Sequence, residues 1–315
     1  MTDNTYVKYT SVGQTINELR KRKNITVNRL CAYCDISKAT YVRIINDKSE
    51  IRLPVLIKVL EVLRLSYAEL SAVFVDEMSM PTRLIEQLED LLYTSKPNDE
   101  KLAAGFSDLH ARIHEVALES HNDGLHEIDQ FCRVLAARNA GNTAKSKQLA
   151  SQLVGRLSTY GEWTSFEWSL AIDTLPFLDF GLVKTTVDRI QHDQSVSRAE
   201  QWAAAHSESS HNHMCLFLLN AAVDGHVASN IMWAVHTIQS YSATEDNLCF
   251  RLVQQFTRIC ALHLDGEHNA ALKLAAAGDL ALDFVADGVE KNSALGQALR
   301  NCLHAIEATD WENLA

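Results

Sequence analysis

Thr26–Lys48, TVNRLCAYCDISKATYVRIINDK, reads as two short helices joined by a tight turn, the second built to lie in a DNA groove. Thr26 is a residue type that caps a helix N-terminus, its side-chain oxygen accepting from an N–H left over in the first turn. Leu30 and Cys34 follow at helical spacing. Asp35 stands where the chain must turn, and Asp tolerates left-handed backbone better than most residues. Ser37 then caps a second helix with Tyr41, Ile44 and Ile45 on its buried side. Its other side carries Lys38, Ala39, Thr40 and Arg43, whose donors, small groups and methyl suit base edges in the major groove. A small residue at Cys31 suits close crossing of the two helices. Asn46 and Lys48 end the second helix with donors suited to phosphates. The candidate DNA-binding residues are therefore Thr26, Ser37, Lys38, Ala39, Thr40, Arg43, Asn46 and Lys48.

Upstream, Ser11 opens a helix with Ile16 and Leu19 inward and the run Arg20, Lys21, Arg22, Lys23 at its end. Such a run can reach phosphates or serve as an ordinary partner of the helix dipole. Downstream, Leu53, Leu56, Ile57, Leu60 and Leu63 predict an amphipathic helix, and Ser66 caps a further short one. Five helices from Ser11 to Phe74, with the turn as second and third, resemble the DNA-binding domain of phage-repressor-type (XRE) regulators. The resemblance runs without a gap from Thr26 to Lys48, departing where Asp35 replaces the common glycine.

The 315 residues allow two domains, and the composition, rich in Leu and Ala with only 4 Pro and 12 Gly, predicts an all-α protein. The net charge of −11 is divided unevenly: residues 1–75 hold 12 Lys and Arg against 7 Asp and Glu, whereas residues 76–315 hold 17 against 33. A basic head on an acidic body fits a DNA module joined to something the phosphate backbone repels. Seven cysteines without framework spacing suit a reduced, cytoplasmic protein. The Cys31-x-x-Cys34 pair is explained by helix packing. The N-terminus is polar and unlike a signal peptide, and no apolar run reaches membrane-spanning length.

The expected organisation is a helix-turn-helix domain over residues 1–75, a linker helix and joint over 76–98, and helical repeats over 99–315. The joint rests on Pro81, a helix from Thr82 to Tyr93, and a break at Lys96–Asp99. Beyond it, four segments align on Gly141, Gly181, Gly225 and Gly266, at intervals of 40, 44 and 41 residues, each followed by an amphipathic pattern. The physical reading is an α-solenoid of degenerate, tetratricopeptide-like helical hairpins, the glycine turning the chain within each pair. The polar, Ser- and His-rich Gln191–Ser210 predicts a linking segment with one short helix around Ala199–Ala205. Val289–Ala308 predicts a last helix that caps the stack or pairs with a second subunit.

No glycine-rich phosphate loop, nucleophile elbow or zinc spacing occurs, so the reading is a non-enzyme without cofactor. His110 and His114, four apart, could share a face as metal ligands do, but no third ligand can be named and they read as solvent-facing. His206, His211 and His213 read as loop residues. Trp163, Phe166, Trp168 and Phe177 read as core. Stacked hairpins offer a face for an extended peptide, and the candidate peptide-binding residues are Arg133, Asn220, Asn247, Arg251, Gln254 and Gln255. The last three continue to Arg258 as a polar stripe, which a solvated outer face explains equally well.

A repressor-type head before some 235 residues of degenerate repeats resembles the Rgg family of Gram-positive regulators and the wider PlcR/PrgX-like group. The stretch STYGEWTSFEWSLAIDTLPFLDFGLV, with Trp163 followed by Phe166-Glu167, is similar to the middle of Rgg-like chains. The resemblance implies a cytoplasmic homodimer that binds an operator in double-stranded DNA and takes a short signalling peptide in quorum sensing. The alternative is a DNA-binding regulator whose repeats serve only dimerisation or protein contact.

Overall fold

In the computed structural model, which describes residues 11–66, 70, 84, 87–88, 100–119, 121–196, 199–241, 247–288 and 294–314, every regular element among them is helical. The chain divides into two compact units, residues 1–83 and 84–315.

The first unit contains α1 (Val12–Arg22), α2 (Val27–Cys34), α3 (Lys38–Ile45) and α4 (Leu53–Leu63). Side chains set the starts of the first three: Ser11 accepts from Gln14 N, Thr26 from Arg29 N and Ser37 from Thr40 N. All four end alike. Asn24, Asp35, Asp47 and Arg64 take left-handed backbone, with φ of 53–54°. The next residue's N–H then reaches back to a carbonyl five positions earlier: Ile25 to Arg20, Ile36 to Cys31, Lys48 to Arg43 and Leu65 to Leu60. This closes each helix by satisfying carbonyls that lack an intrahelical partner. Ile25, Ile36 and Leu65 fold onto the core that Ile16, Leu30, Cys31, Cys34, Tyr41, Val59 and Leu63 form. Burying a side chain such as Leu63 is worth about 1.5–3 kcal/mol.

Gly13 marks a close crossing of α1 on α3: a Cβ on residue 13 would stand 2.1 Å from the carbonyl oxygen of Ile44. The α4 pattern is rotated from the expected one. Val59, Leu60 and Leu63 are buried and Val55 and Leu56 pack against the core, whereas Leu53 and Ile57 are exposed. Of the fifth helix only Leu70 is described, its N–H bonded to Ser66 O; the rest of it, and the linker helix apart from Leu84, Gln87 and Leu88, lie outside the described residues.

The second unit contains α5 (Glu100–Glu119), α6 (Asp123–Asn139), α7 (Thr143–Leu157), α8 (Ser165–Thr174), a 3-10 turn (Leu175–Phe177), α9 (Phe180–Val196), α10 (Ala199–Asp224), α11 (Ala228–Gln239), α12 (Leu248–Leu264), α13 (His268–Gly288) and α14 (Ala294–Ala308). The hairpins α10/α11 and α12/α13 stack on each other, and α6/α7 joins them through α8 and the 3-10 turn, with α5 on α6 and α14 against α10, α12 and α13. One continuous core runs through them. Trp163 and Trp168 are buried in it, and Phe166 and Phe177 pack at its edge. Glu167 accepts from both the N–H and the hydroxyl of Thr164, at 2.7 and 2.6 Å, so the aromatic-Glu pair serves to start α8.

The glycine reading holds at two of four positions. Gly141 and Gly266 have φ of 74° and 79° and turn the chain inside α6/α7 and α12/α13. In the α10/α11 turn the left-handed residue is His226, beside Gly225. Gly181 lies in the first turn of α9, because the 3-10 turn at Pro176 has already redirected the chain. The expected link over Gln191–Ser210 is helical at its described residues. α9 runs to Val196 and α10 begins at Ala199, and no glycine or proline interrupts the alanine-rich start of α10. His206, His211 and His213 are therefore helical residues, the ring of His213 lying stacked on Phe217.

Candidate nucleic-acid interface and a polar cleft

On the first unit, α3 is anchored through one side and open on the other. Tyr41 is buried, and its hydroxyl donates to Asn17 and accepts from Arg20, both at 2.9 Å. Arg20 also donates to Ile25 O and Asn17, Lys23 reaches Leu63 O, and Lys21 pairs with Glu18. Much of the basic run at the end of α1 is thus taken up by the fold. The opposite side of α3 exposes Lys38, Ala39, Thr40 and Arg43, and with them Val42, 49% exposed and absent from the sequence-based set. An apolar group among donors suits a thymine methyl. Val42 follows Lys38 by four positions and Ala39 by three, so helical spacing itself places it on this side.

The remaining candidates divide. Thr26 and Ser37 spend their hydroxyls on caps, Ser37 also meeting Thr40 Oγ1 at 2.9 Å. Asn46 turns its amide back to Val42 O at 2.7 Å. Lys48 differs from its counterparts at the other three helix ends, which pack a partly buried apolar side chain on the core; it closes the turn through its backbone and is exposed.

The second unit carries a polar cleft of about 460 Å³ on the α6/α7 hairpin, formed by His126, Asp129, Gln130 and Arg133 of α6 and Leu149, Gln152 and Arg156 of α7. Two buried carboxylates underlie it. Asp129 takes Arg133 at 2.6 Å and His114 at 3.0 Å, with His110 at 3.6 Å. Glu127 takes Tyr160 Oη at 2.5 Å and Arg156 Nε at 3.4 Å, and Arg156 also meets Asp123 at 2.8 Å. Burial raises the Glu127 carboxyl above its usual range, opposed by Tyr160 and Arg156. Burial lowers His110 despite Asp129. The i, i+4 pair of α5 is turned toward Asp129, with the His110 side chain mostly covered and that of His114 still 42% exposed. Among the described residues no group of three or more metal-ligating side chains is arranged so that it could hold a metal ion.

The other peptide candidates lie away from this cleft. Asn220 is half-buried on α10. Asn247 caps α12, accepting from Phe250 N, and exchanges amide hydrogen bonds with buried Asn212 at 3.1 and 3.2 Å. Arg251, Gln255 and Arg258 are exposed and Gln254 half-buried along α12. Of the cleft residues the sequence singled out Arg133 alone; its carboxylate at i−4 was legible, but Arg156 and Tyr160 meet α6 from 33 positions away. All seven cysteines are unpaired, and burial pushes the Cys132, Cys215 and Cys260 thiols up to about 12. No described helix is long and apolar enough to cross a membrane.

Residues 16–70 match the helix-turn-helix family model. No curated protein matches the sequence. Three solved structures share the fold over nearly the full length. A Listeria monocytogenes EGD-e protein, provisionally described as a transcriptional regulator, has a TM-score of 0.68 at 13% identity, covering 93% of this chain and 96% of that one. The Streptococcus dysgalactiae SHP pheromone receptor Rgg2 gives 0.61 at 16% identity, covering 93% and 99%. PrgX in complex with cCF10 gives 0.64 at 12% identity, covering 94% and 92%. At these identities the likeness is one of fold.

Proposed function

We propose that this chain is a cytoplasmic transcription regulator of the Rgg type, which binds double-stranded DNA through α3 as a homodimer and takes a short signalling peptide on its helical repeats. One observation carries the reading: an open, capped α3 on a helix-turn-helix unit continues into paired helices with the fold of Rgg2 and PrgX. One such head reads only a few base pairs, so a dimer on a two-fold operator is the economical arrangement. A peptide shifts promoter output only through unequal affinity for two conformations or assemblies.

A second reading, in which the repeats only dimerise, is favoured by exposed Met232 on α11 and Leu272 and Leu280 on α13. Selection of bound duplexes by the full chain from random DNA tests the reader; two-fold half-sites about one helical turn or a multiple apart are expected. Calorimetry of the full chain with peptides from the producing culture tests the receptor. No enriched sequence overturns the DNA reading, and enrichment without any peptide binding leaves dimerisation as the role of the repeats.

A further inference from the structure

The α6/α7 cleft has the construction of a ligand site. A helical hairpin gains nothing obvious in stability from burying two carboxylates two positions apart; apolar residues of similar volume generally serve as well or better. Here Asp129 and Glu127 are 5% and 1% exposed, and each holds a guanidinium at the cleft. Arg133 and Arg156 remain 48% and 40% exposed. Arg133 meets its partners through Nη2, and Arg156 meets Asp123 and Glu127 through Nη2 and Nε. A guanidinium has five N–H donors, so one edge can be fixed by the protein while another faces a ligand. The buried acids thus orient two cationic forks in advance, which lowers the entropy lost when an anion binds.

The spacing specifies the ligand further. The α6 residues at which the two forks are held, Arg133 itself and Glu127 under Arg156, are six positions apart, or about 9 Å along a helix. A peptide in the polyproline II conformation covers about that distance in one turn of three residues, which brings residues i and i+3 to the same side. Between the forks lie Gln152, exposed, and Gln130, whose Nε2 donates to Leu149 O at 3.2 Å. Carboxamides of this kind match the N–H and C=O of an extended backbone. We propose that this cleft binds an acidic peptide segment, seating carboxylates three residues apart on Arg133 and Arg156. This rests on the peptide-receptor reading and adds to it an acidic ligand and a location on the first hairpin.

The probes are a blocked hexapeptide with glutamates at its second and fifth positions and its glutamine counterpart, titrated into the full chain by calorimetry at low salt. The glutamate peptide should bind at least tenfold more tightly. Arg133→Lys and Arg156→Lys keep the charge opposite each buried acid but remove the fork, and each should weaken that peptide at least fivefold with the melting temperature held. The double change Asp129→Asn with Arg133→Gln, which leaves no unpaired buried charge, should abolish the preference. Equal binding of both hexapeptides, indifferent to these changes, overturns the cleft and keeps the receptor. Binding of culture peptides but of neither hexapeptide does the same. A folded chain that binds none of them overturns both readings.

Discussion

Gly13 and Ile44 meet backbone to backbone: the α3 carbonyl occupies the space a side chain on residue 13 would need, 2.1 Å from an ideal Cβ, with Ile44 C and Ile45 Cα each at 2.9 Å. These atoms belong to the helix backbone, so no rotamer change relieves the clash. Gly13→Ala should cost about 3 kcal/mol, the upper end for overpacking, despite the better helix propensity of alanine. A head fragment spanning residues 1–83, or the full chain followed by a probe in the head, should lose its denaturation midpoint accordingly. An unchanged midpoint would show that α1 and α3 do not cross here.

Because α3 is oriented by Tyr41 and open at Arg43, two of the cations on this surface, Arg43 and Lys48, should behave differently. Arg43→Ala should cost roughly 1–3 kcal/mol on the selected operator and little on random DNA, as a base-reading side chain does. Lys48→Ala should weaken both alike and reduce the salt slope by about 1. Fluorescence anisotropy across a salt series separates the two, and equal losses from Arg43→Ala on operator and random duplexes would remove it from the reading set.

The left-handed residues give a third test. His226 holds φ of 50°, where glycine has no steric penalty. His226→Gly should stabilise the chain by about 1 kcal/mol, the usual strain of a side chain in this region. Gly141→Ala, at φ of 74° with nothing within 4 Å of the new Cβ, should destabilise by a similar amount through backbone strain alone. Chemical denaturation at constant m-value reads both.

Local chemistry explains what the sequence disclosed. Thr26, Ser37 and Asp35 act on bonds within four residues of themselves, so caps, turn and the exposed side of α3 could be read directly. The same holds for the turns at Gly141 and Gly266. What escaped notice depends on partners far along the chain. Gly13 is special only because α3 lies against it. Asp129 and Glu127 look like surface acids of an amphipathic helix until α5, Arg156 and Tyr160 close over them. Over Gln191–Ser210 polarity suggests a loop, yet a stretch without glycine or proline can stay helical, as the described residues of α9 and α10 do.

Asn247, a candidate peptide contact, has its amide matched to that of Asn212, which is only 7% exposed. Asn247→Ala removes a cap and leaves a buried amide without its partner, so it should destabilise by about 1–3 kcal/mol. Adding Asn212→Ala should cost less than the sum of the single changes, since the stranded group is then gone. Additive losses would show that the two amides do not depend on each other.

Acid should weaken the fold in a defined direction. Burial lowers His110, His213 and His263 below the ordinary value of 6.5, with His268 adding to the effect at His263. Below 6.5 the unfolded chain therefore binds protons that the folded chain resists. The stability these residues contribute is fully present above 6.5 and is lost as pH falls through their folded values. Glu127 works the other way: raised from 4.5, it contributes stability below 4.5 that is lost as pH rises through its folded value. Between these limits three histidines oppose one carboxyl, so the urea midpoint of the body should be lower at pH 5.5 than at pH 7.5. His110→Gln and His213→Gln should each flatten that dependence, since glutamine cannot take the proton. A midpoint that holds or rises on acidification would mean that the buried carboxyl outweighs the histidines.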